Sequence, residues 1–146
     1  MLRTADKIVI DEVAYSSKWH AHSVKNVKGV ALERIDPDAA TQDEANWTSA
    51  SETVGYGTPG YQNSQYKNAS SGDATGIEPP VWIEESGSYT VSYLLDRPGY
   101  SCRAFVFNTS GLRVAEISNH ELLGISGKII WSGIANNGSP LQAGIY

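Results

Sequence analysis

The chain has 146 residues, the length of one ordinary domain or of two small ones. Its net charge is −5 and 18% of its residues are charged, which argues against a non-specific nucleic-acid binder and against docking on an anionic membrane surface, because both need an excess of lysine and arginine. No apolar run approaches the roughly 20 residues of a membrane span, and the residues after Met1 lack the apolar core of a secretory signal. Cys102 is the only cysteine, so no intrachain disulfide can form, and its alternating apolar neighbours predict a buried small hydrophobic residue.

The first half of the chain predicts short strands and loops. Residues 7–13 are rich in β-branched side chains and predict a strand, and residues 29–35 predict a second one that Asp36-Pro37-Asp38 ends. Residues 39–50 are the only candidate helical turn, and they lack the apolar stripe of a long helix. Residues 54–61 hold three glycines and a proline, so they cannot form a regular helix.

The second half predicts a sandwich, because short strands recur with turn signals between them. Residues 67–76 are small and polar and predict a linker. We therefore expect an all-β fold with a partial β region at 1–66, the linker at 67–76 and a β-sandwich at 77–146. The predicted strands are 81–83, 89–95, 102–108, 113–118, 127–131 and one that starts at Gly144 and forms a hairpin with the strand before it.

The C-terminal part, about residues 77–146, resembles the immunoglobulin-like module of the flagellar hook-capping family, which also occurs in exported Bacteroidetes proteins. Glycines and aromatic residues recur at fixed offsets around two turns. The family often opens with an acidic, glycine-rich loop, whereas this chain has Glu84-Glu85-Ser86-Gly87 there. The matching residues are Tyr93, Leu95, Gly99, Phe105, Phe107, Gly111, Arg113, Val114, Gly127, Trp131, Gly133, Gly138, Leu141, Gly144 and Tyr146.

The N-terminal part, about residues 7–66, resembles the second half of bacterial lamin-tail domains, which are also immunoglobulin-like. The resemblance implies an exported protein at the cell surface, outside the cell or in the periplasm, and a non-catalytic role in structure, adhesion or anchoring. Since the first half of that domain and the last strand of the sandwich are missing, we expect a piece of a longer protein. The matching residues are Ile10-Asp11-Glu12, Gly29-Val30, Leu32 to Ile35, Asn46-Trp47, Ser49-Ala50, Val54-Gly55, Thr58 to Tyr61 and Asn63-Ser64.

Aromatic residues are the best candidates for ligand binding. Four tryptophans and eight tyrosines outnumber two phenylalanines, and rings with a polar group can serve as stacking platforms for sugars. We predict a ligand site in the loops, whereas Trp47, Trp82 and Trp131 are interpreted as core or interdomain anchors. The candidate binding residues are Trp19, Tyr56, Tyr61 and Tyr66.

Two clusters could hold a metal ion. Asp36, Asp38, Asp43 and Glu44 offer oxygen ligands for calcium, but they lack the alternating acidic loop of a dedicated calcium site. His20 and His22 would share one face of a strand, yet a third ligand is not evident. Solvated polar loops are the competing interpretation for both clusters.

We expect no enzyme, because no general acid–base pair, nucleophile elbow or phosphate loop can be placed. The leading function is a non-catalytic surface module that binds a protein or a cell-surface glycan. The alternatives are a carbohydrate-binding module and an accessory domain of a secreted hydrolase. Unpaired sheet edges at Ile8 to Ile10 and at Gly144 to Tyr146 also predict a dimer through an edge strand.

Overall fold

A computed structural model describes residues 1–67 and 75–146. Within these ranges the fold is all-β, as predicted: ten strands pair only in antiparallel fashion, and the helical segments are three single turns of 3-10 helix. No helix in the described residues has the length and apolar character needed to cross a membrane.

The N-terminal part contains two separate pairs of short strands, β1 with β2 and β3 with β4. The predicted strands at 7–13 and 29–35 are present but shorter. The candidate helix at 39–50 is a single 3-10 turn. The Asp43 carboxylate caps the start of this turn by accepting a hydrogen bond from the Ala45 amide, and the backbone is extended from Trp47 onward. The chain then continues as β4, which the sequence did not predict. The strands are β1 (Leu2–Arg3), β2 (Val9–Asp11), β3 (Leu32–Arg34) and β4 (Trp47–Ser49), and the 3-10 turns are Ser17–Trp19, Glu44–Asn46 and Glu52–Val54.

The C-terminal part forms two sheets. In the first, β7 lies between β10 on one side and β5 and β6 on the other, and in the second β8 pairs with β9. Most predicted strands are confirmed, and β9 is longer than the predicted 113–118. The strands are β5 (Gly76–Ile77), β6 (Val81–Ile83), β7 (Ser88–Leu94), β8 (Ser101–Phe107), β9 (Arg113–Leu122) and β10 (Ser126–Trp131).

The predicted strand from Gly144 onward is wrong. The turn itself forms, since Ile134 and Pro140 make an isolated bridge. The residues after it do not continue the ladder, because the Tyr146 hydroxyl donates to the Gln142 carbonyl at 2.8 Å and closes a local bend instead.

The apolar core is small and lies at the C-terminal end of β7. Tyr93, Leu95 and Leu123 are buried there, and the half-buried Cys102 packs against them. The sequence predicts a buried Cys102, whereas the structure leaves it partly exposed at the edge of this core; its burial there raises the pKa of the thiol. Gly127 on β10 lies opposite Tyr93 on β7, and a Cβ atom at this glycine would collide with the tyrosine hydroxyl.

The N-terminal and C-terminal parts touch directly through a buried glutamine. Gln65 is fully buried, and its Nε2 donates to the carbonyls of Ser49 at 3.2 Å and Leu123 at 3.0 Å, one in each part. Next to it, the Ile125 amide donates to the Ser64 carbonyl at 2.9 Å. Residues 68–74 of the predicted linker lie outside the described residues, but these contacts join the parts independently of it.

A buried carboxylate organises the loop that carries Gln65. Glu33 on β3 is 3% exposed. Its Oε1 accepts from the Thr58 hydroxyl at 2.6 Å, and its Oε2 accepts from the Ser64 hydroxyl at 2.7 Å and from the Gln65 amide at 3.1 Å. Such hydrogen bonds to a carboxylate satisfy a charge that would otherwise be costly to bury.

Replacing Glu33 with Gln is expected to lower the free energy of unfolding by about 2–3 kcal/mol, since an amide cannot accept on both sides. Chemical denaturation followed by tryptophan fluorescence measures the loss. Glu12→Gln is the control, because it removes the same charge from an exposed position. Equal stability of the two variants would contradict the assigned role of Glu33.

A methyl group at Gly124 is expected to disturb the contact between the two parts. A Cβ atom there would lie 2.6 Å from the Ser64 carbonyl oxygen, so Gly124→Ala must separate two backbones, at a cost of about 1–3 kcal/mol. Gly76→Ala is the matched control, since its Cβ meets nothing within 4 Å. A Gly124→Ala protein as stable as this control in denaturation would rule out the close approach.

Candidate functional site

An exposed stack of aromatic rings lies on the inner face of the first sheet. Tyr89 on β7 is opposite Trp82 of β6 on one side and Trp131 of β10 on the other. The rings of Trp82 and Tyr89 meet edge to face with centroids 4.9 Å apart, and those of Tyr89 and Trp131 stack at 5.7 Å. Trp82 remains 49% exposed, so this stack is not covered as a core would be.

The stack forms one wall of a groove of about 810 Å³ between the two sheets, which we call the aromatic groove. The second wall is formed by Phe105, Val106 and Phe107 of β8 with Ile117 of β9. The segment 140–146 lines the groove too. The rings of Tyr146 and Trp131 meet edge to face, with their centroids 6.3 Å apart.

The aromatic groove is apolar in chemistry. Among the described residues that line it, only Ser132 and Gln142 contribute polar side chains apart from the polar atoms of the tyrosines and tryptophans. None of these lining side chains is a carboxylate, imidazole, amine or thiol. It is therefore suited to burying apolar side chains and lacks the groups that usually act as general acids, bases or nucleophiles.

Positive charge lies beside the β8 wall. The guanidinium groups of Arg103 and Arg113 lie over the Phe105 ring, at 4.9 Å and 5.0 Å from its centroid. Arg113 also pairs with Glu116 at 3.4 Å, an exposed contact that contributes little to stability. A ligand at this wall thus meets an apolar surface with two cations at its margin.

The strands that border the groove have open edges. In the described part of the chain β8 pairs with β9 alone, and β10 pairs with β7 alone. The outer edge of β8 therefore presents backbone N–H and C=O groups with no ladder partner, an arrangement that invites pairing with another strand.

The four aromatic residues predicted as a ligand site are not brought together. The Trp19 ring stacks on the Trp47 ring, with their centroids 6.2 Å apart. Tyr56 has a left-handed backbone with φ of 64°, and Tyr61 is 84% exposed. Tyr66 lies in a turn in which its amide donates to the Asn63 carbonyl. Among the described residues, no ring contact joins any two of the four.

The sequence did not predict Trp82, Tyr89 and Trp131 as a binding site, because tryptophans in strands usually belong to a core. The sequence interpretation of Trp82 and Trp131 is that of core or interdomain anchors, whereas the structure leaves Trp82 half exposed. The available signal was that Trp82, Tyr89 and Trp131 all lie on predicted strands, but only the register of β6, β7 and β10 places them side by side.

The acidic cluster is used for local backbone caps. An Asp36 carboxylate oxygen accepts from the Asp38 amide at 2.8 Å, Asp43 caps its 3-10 turn, and Glu44 is exposed. Residues 1–67 and 75–146 contain no group of three or more His, Cys, Asp or Glu side chains placed to hold a metal ion. The predicted calcium site thus gains no support from the geometry.

His20 makes a structural contact. Its Nδ1 lies 2.9 Å from the hydroxyl of the buried Ser49, and burial lowers the pKa of the imidazole. The same hydroxyl accepts a hydrogen bond from the Ala21 amide. These hydrogen bonds to Ser49 hold the loop at 17–21 against β4.

Comparison of the chain with protein-family profiles, with curated proteins and with solved structures finds no match in any of the three. The resemblances to lamin-tail and hook-capping modules accordingly rest on sequence motifs alone.

Proposed function

We propose that the chain is a non-catalytic module of an exported bacterial surface protein, which acts in adhesion or assembly by binding polypeptide in the aromatic groove. The observation that carries this proposal is the half-exposed stack of Trp82, Tyr89 and Trp131 in a groove bordered by open strand edges. Exposed aromatic clusters of this kind are typical of protein interaction sites.

The architecture supports the same proposal. The two antiparallel sheets of residues 76–131 are what an immunoglobulin-like sandwich of the hook-capping type would need. A lamin-tail origin of the N-terminal part is proposed on its sequence motifs alone. The cell-surface, extracellular or periplasmic location follows from those resemblances.

A carbohydrate is the second candidate ligand, because the stacked rings of Tyr89 and Trp131 could carry a sugar. The lining argues against it as the first choice. Sugar recognition needs several convergent polar side chains, and the groove offers Ser132 and Gln142 besides the polar atoms of its rings. Polypeptide can meet its hydrogen-bonding needs at the edge of β8.

Selection of a displayed peptide library on the immobilised chain is expected to enrich segments with alternating apolar residues. Trp82→Ala should weaken the selected peptides at least tenfold, since burying an aromatic side chain contributes about 1.5–3 kcal/mol. Tyr61→Ala removes an aromatic ring that is exposed and lies outside the groove, so this control should bind as the unchanged chain does.

The same two variants decide between the candidates. Saturable binding on a glycan array that is lost in Trp82→Ala would show that the ligand of the aromatic groove is a carbohydrate and not a polypeptide. Glycan binding lost in Tyr61→Ala would instead support the loop aromatics. If neither peptides nor glycans bind to a well-folded chain, the proposed function is overturned.

A further inference from the structure

We infer that the aromatic groove accepts the β2 segment of a second copy of this chain, which adds as a strand along the open edge of β8. This inference rests on the proposed polypeptide-binding function and names the polypeptide. Strand addition uses backbone hydrogen bonds for affinity and alternate side chains for specificity.

The donor segment is an uncovered apolar strand. Ile8 is 64% exposed and Ile10 is 59% exposed, and both point to one face since they are two residues apart. In the described chain β2 pairs only with the two-residue strand β1. This segment therefore exposes apolar side chains and also leaves a strand edge open.

The donor is held at a fixed point of the surface. Asp11 lies 3.6 Å from the Arg34 guanidinium, and the Gln42 side chain donates to the Glu12 carbonyl at 2.6 Å. The chain immediately after Ile10 is thus tied to the N-terminal part. Anchoring lowers the entropy lost when the preceding residues pair with another strand.

Donor and acceptor match in charge. Residues 6–12 contain three acidic residues and one lysine, and one of the acidic residues, Asp11, already pairs with Arg34. The β8 wall has two arginines at its margin, of which Arg113 already pairs with Glu116. A donor strand that places Ile8 and Ile10 in the groove brings its other acidic residues, Asp6 and Glu12, toward Arg103. Such complementarity favours one register and speeds association.

The donor strand would cover part of the β8 edge. β2 has three residues, Val9–Asp11, and β8 has seven. At 3.3 Å per residue, the donor spans about 10 Å of an edge of about 23 Å.

The two surfaces are different parts of the molecule, so the contact is heterologous. This property allows a complementation test with two variants. Ile10→Lys places a charge on the donor face at an exposed position and leaves the groove unchanged. Trp82→Ala damages the groove and leaves the donor unchanged.

Light scattering of the unchanged chain at millimolar concentration is expected to give a mass of two or more chains, against 15.8 kDa for one. Each variant alone should associate at least tenfold more weakly. An equimolar mixture of the two should recover association and stop at two chains, because only one productive contact remains. This recovery also shows that both variants are folded.

A monomeric unchanged chain at millimolar concentration would overturn the inference. So would association that both variants lose and their mixture does not recover, since that outcome indicates a symmetric contact between β2 edges. A synthetic peptide of residues 6–13 provides the second readout and should bind the Ile10→Lys chain with a change in tryptophan fluorescence. If library peptides bind in a Trp82-dependent manner but this peptide does not, the proposed function stands and the self-association fails.

Discussion

The buried carboxylate of Glu33 is the constraint on which the rest of the structure depends. A charge that is 3% exposed is tolerated only because two hydroxyls and one backbone amide donate to it. Those donors belong to the loop at 58–65. The loop has little apolar surface of its own, so hydrogen bonds to Glu33 give it a defined position.

That position fixes how the N-terminal part meets the C-terminal part. With its amide bound to Glu33, Gln65 reaches the Ser49 and Leu123 carbonyls at once. Gly124 allows the backbones to approach closely, because any side chain would collide with the Ser64 carbonyl. The contact is polar and specific in geometry, and it leaves the inner faces of the C-terminal sheets uncovered at the other end.

Burial is therefore uneven across the C-terminal sheets. Tyr93, Leu95 and Leu123 fill the end nearest the N-terminal part, while Trp82, Tyr89 and Trp131 line the open end. The same alternation along β7 that predicts one buried face thus produces a core at one end and a groove at the other. Aromatic side chains that resemble core residues become an interaction surface where the facing sheet does not close over them.

The sequence by itself determined most of the longer strands, the turns between them and the all-β class, because β-branched alternation and glycine-rich turns act over a few neighbouring residues. It also predicted that Cys102 packs and that residues 54–61 avoid a regular helix. Only the tertiary structure decided the buried role of Glu33, the bend at Gly144 to Tyr146 in place of a strand, and the placement of Trp82, Tyr89 and Trp131 side by side along one groove. These features depend on contacts between residues far apart in the chain, such as Glu33 with Ser64 and Trp82 with Trp131, which no local pattern encodes.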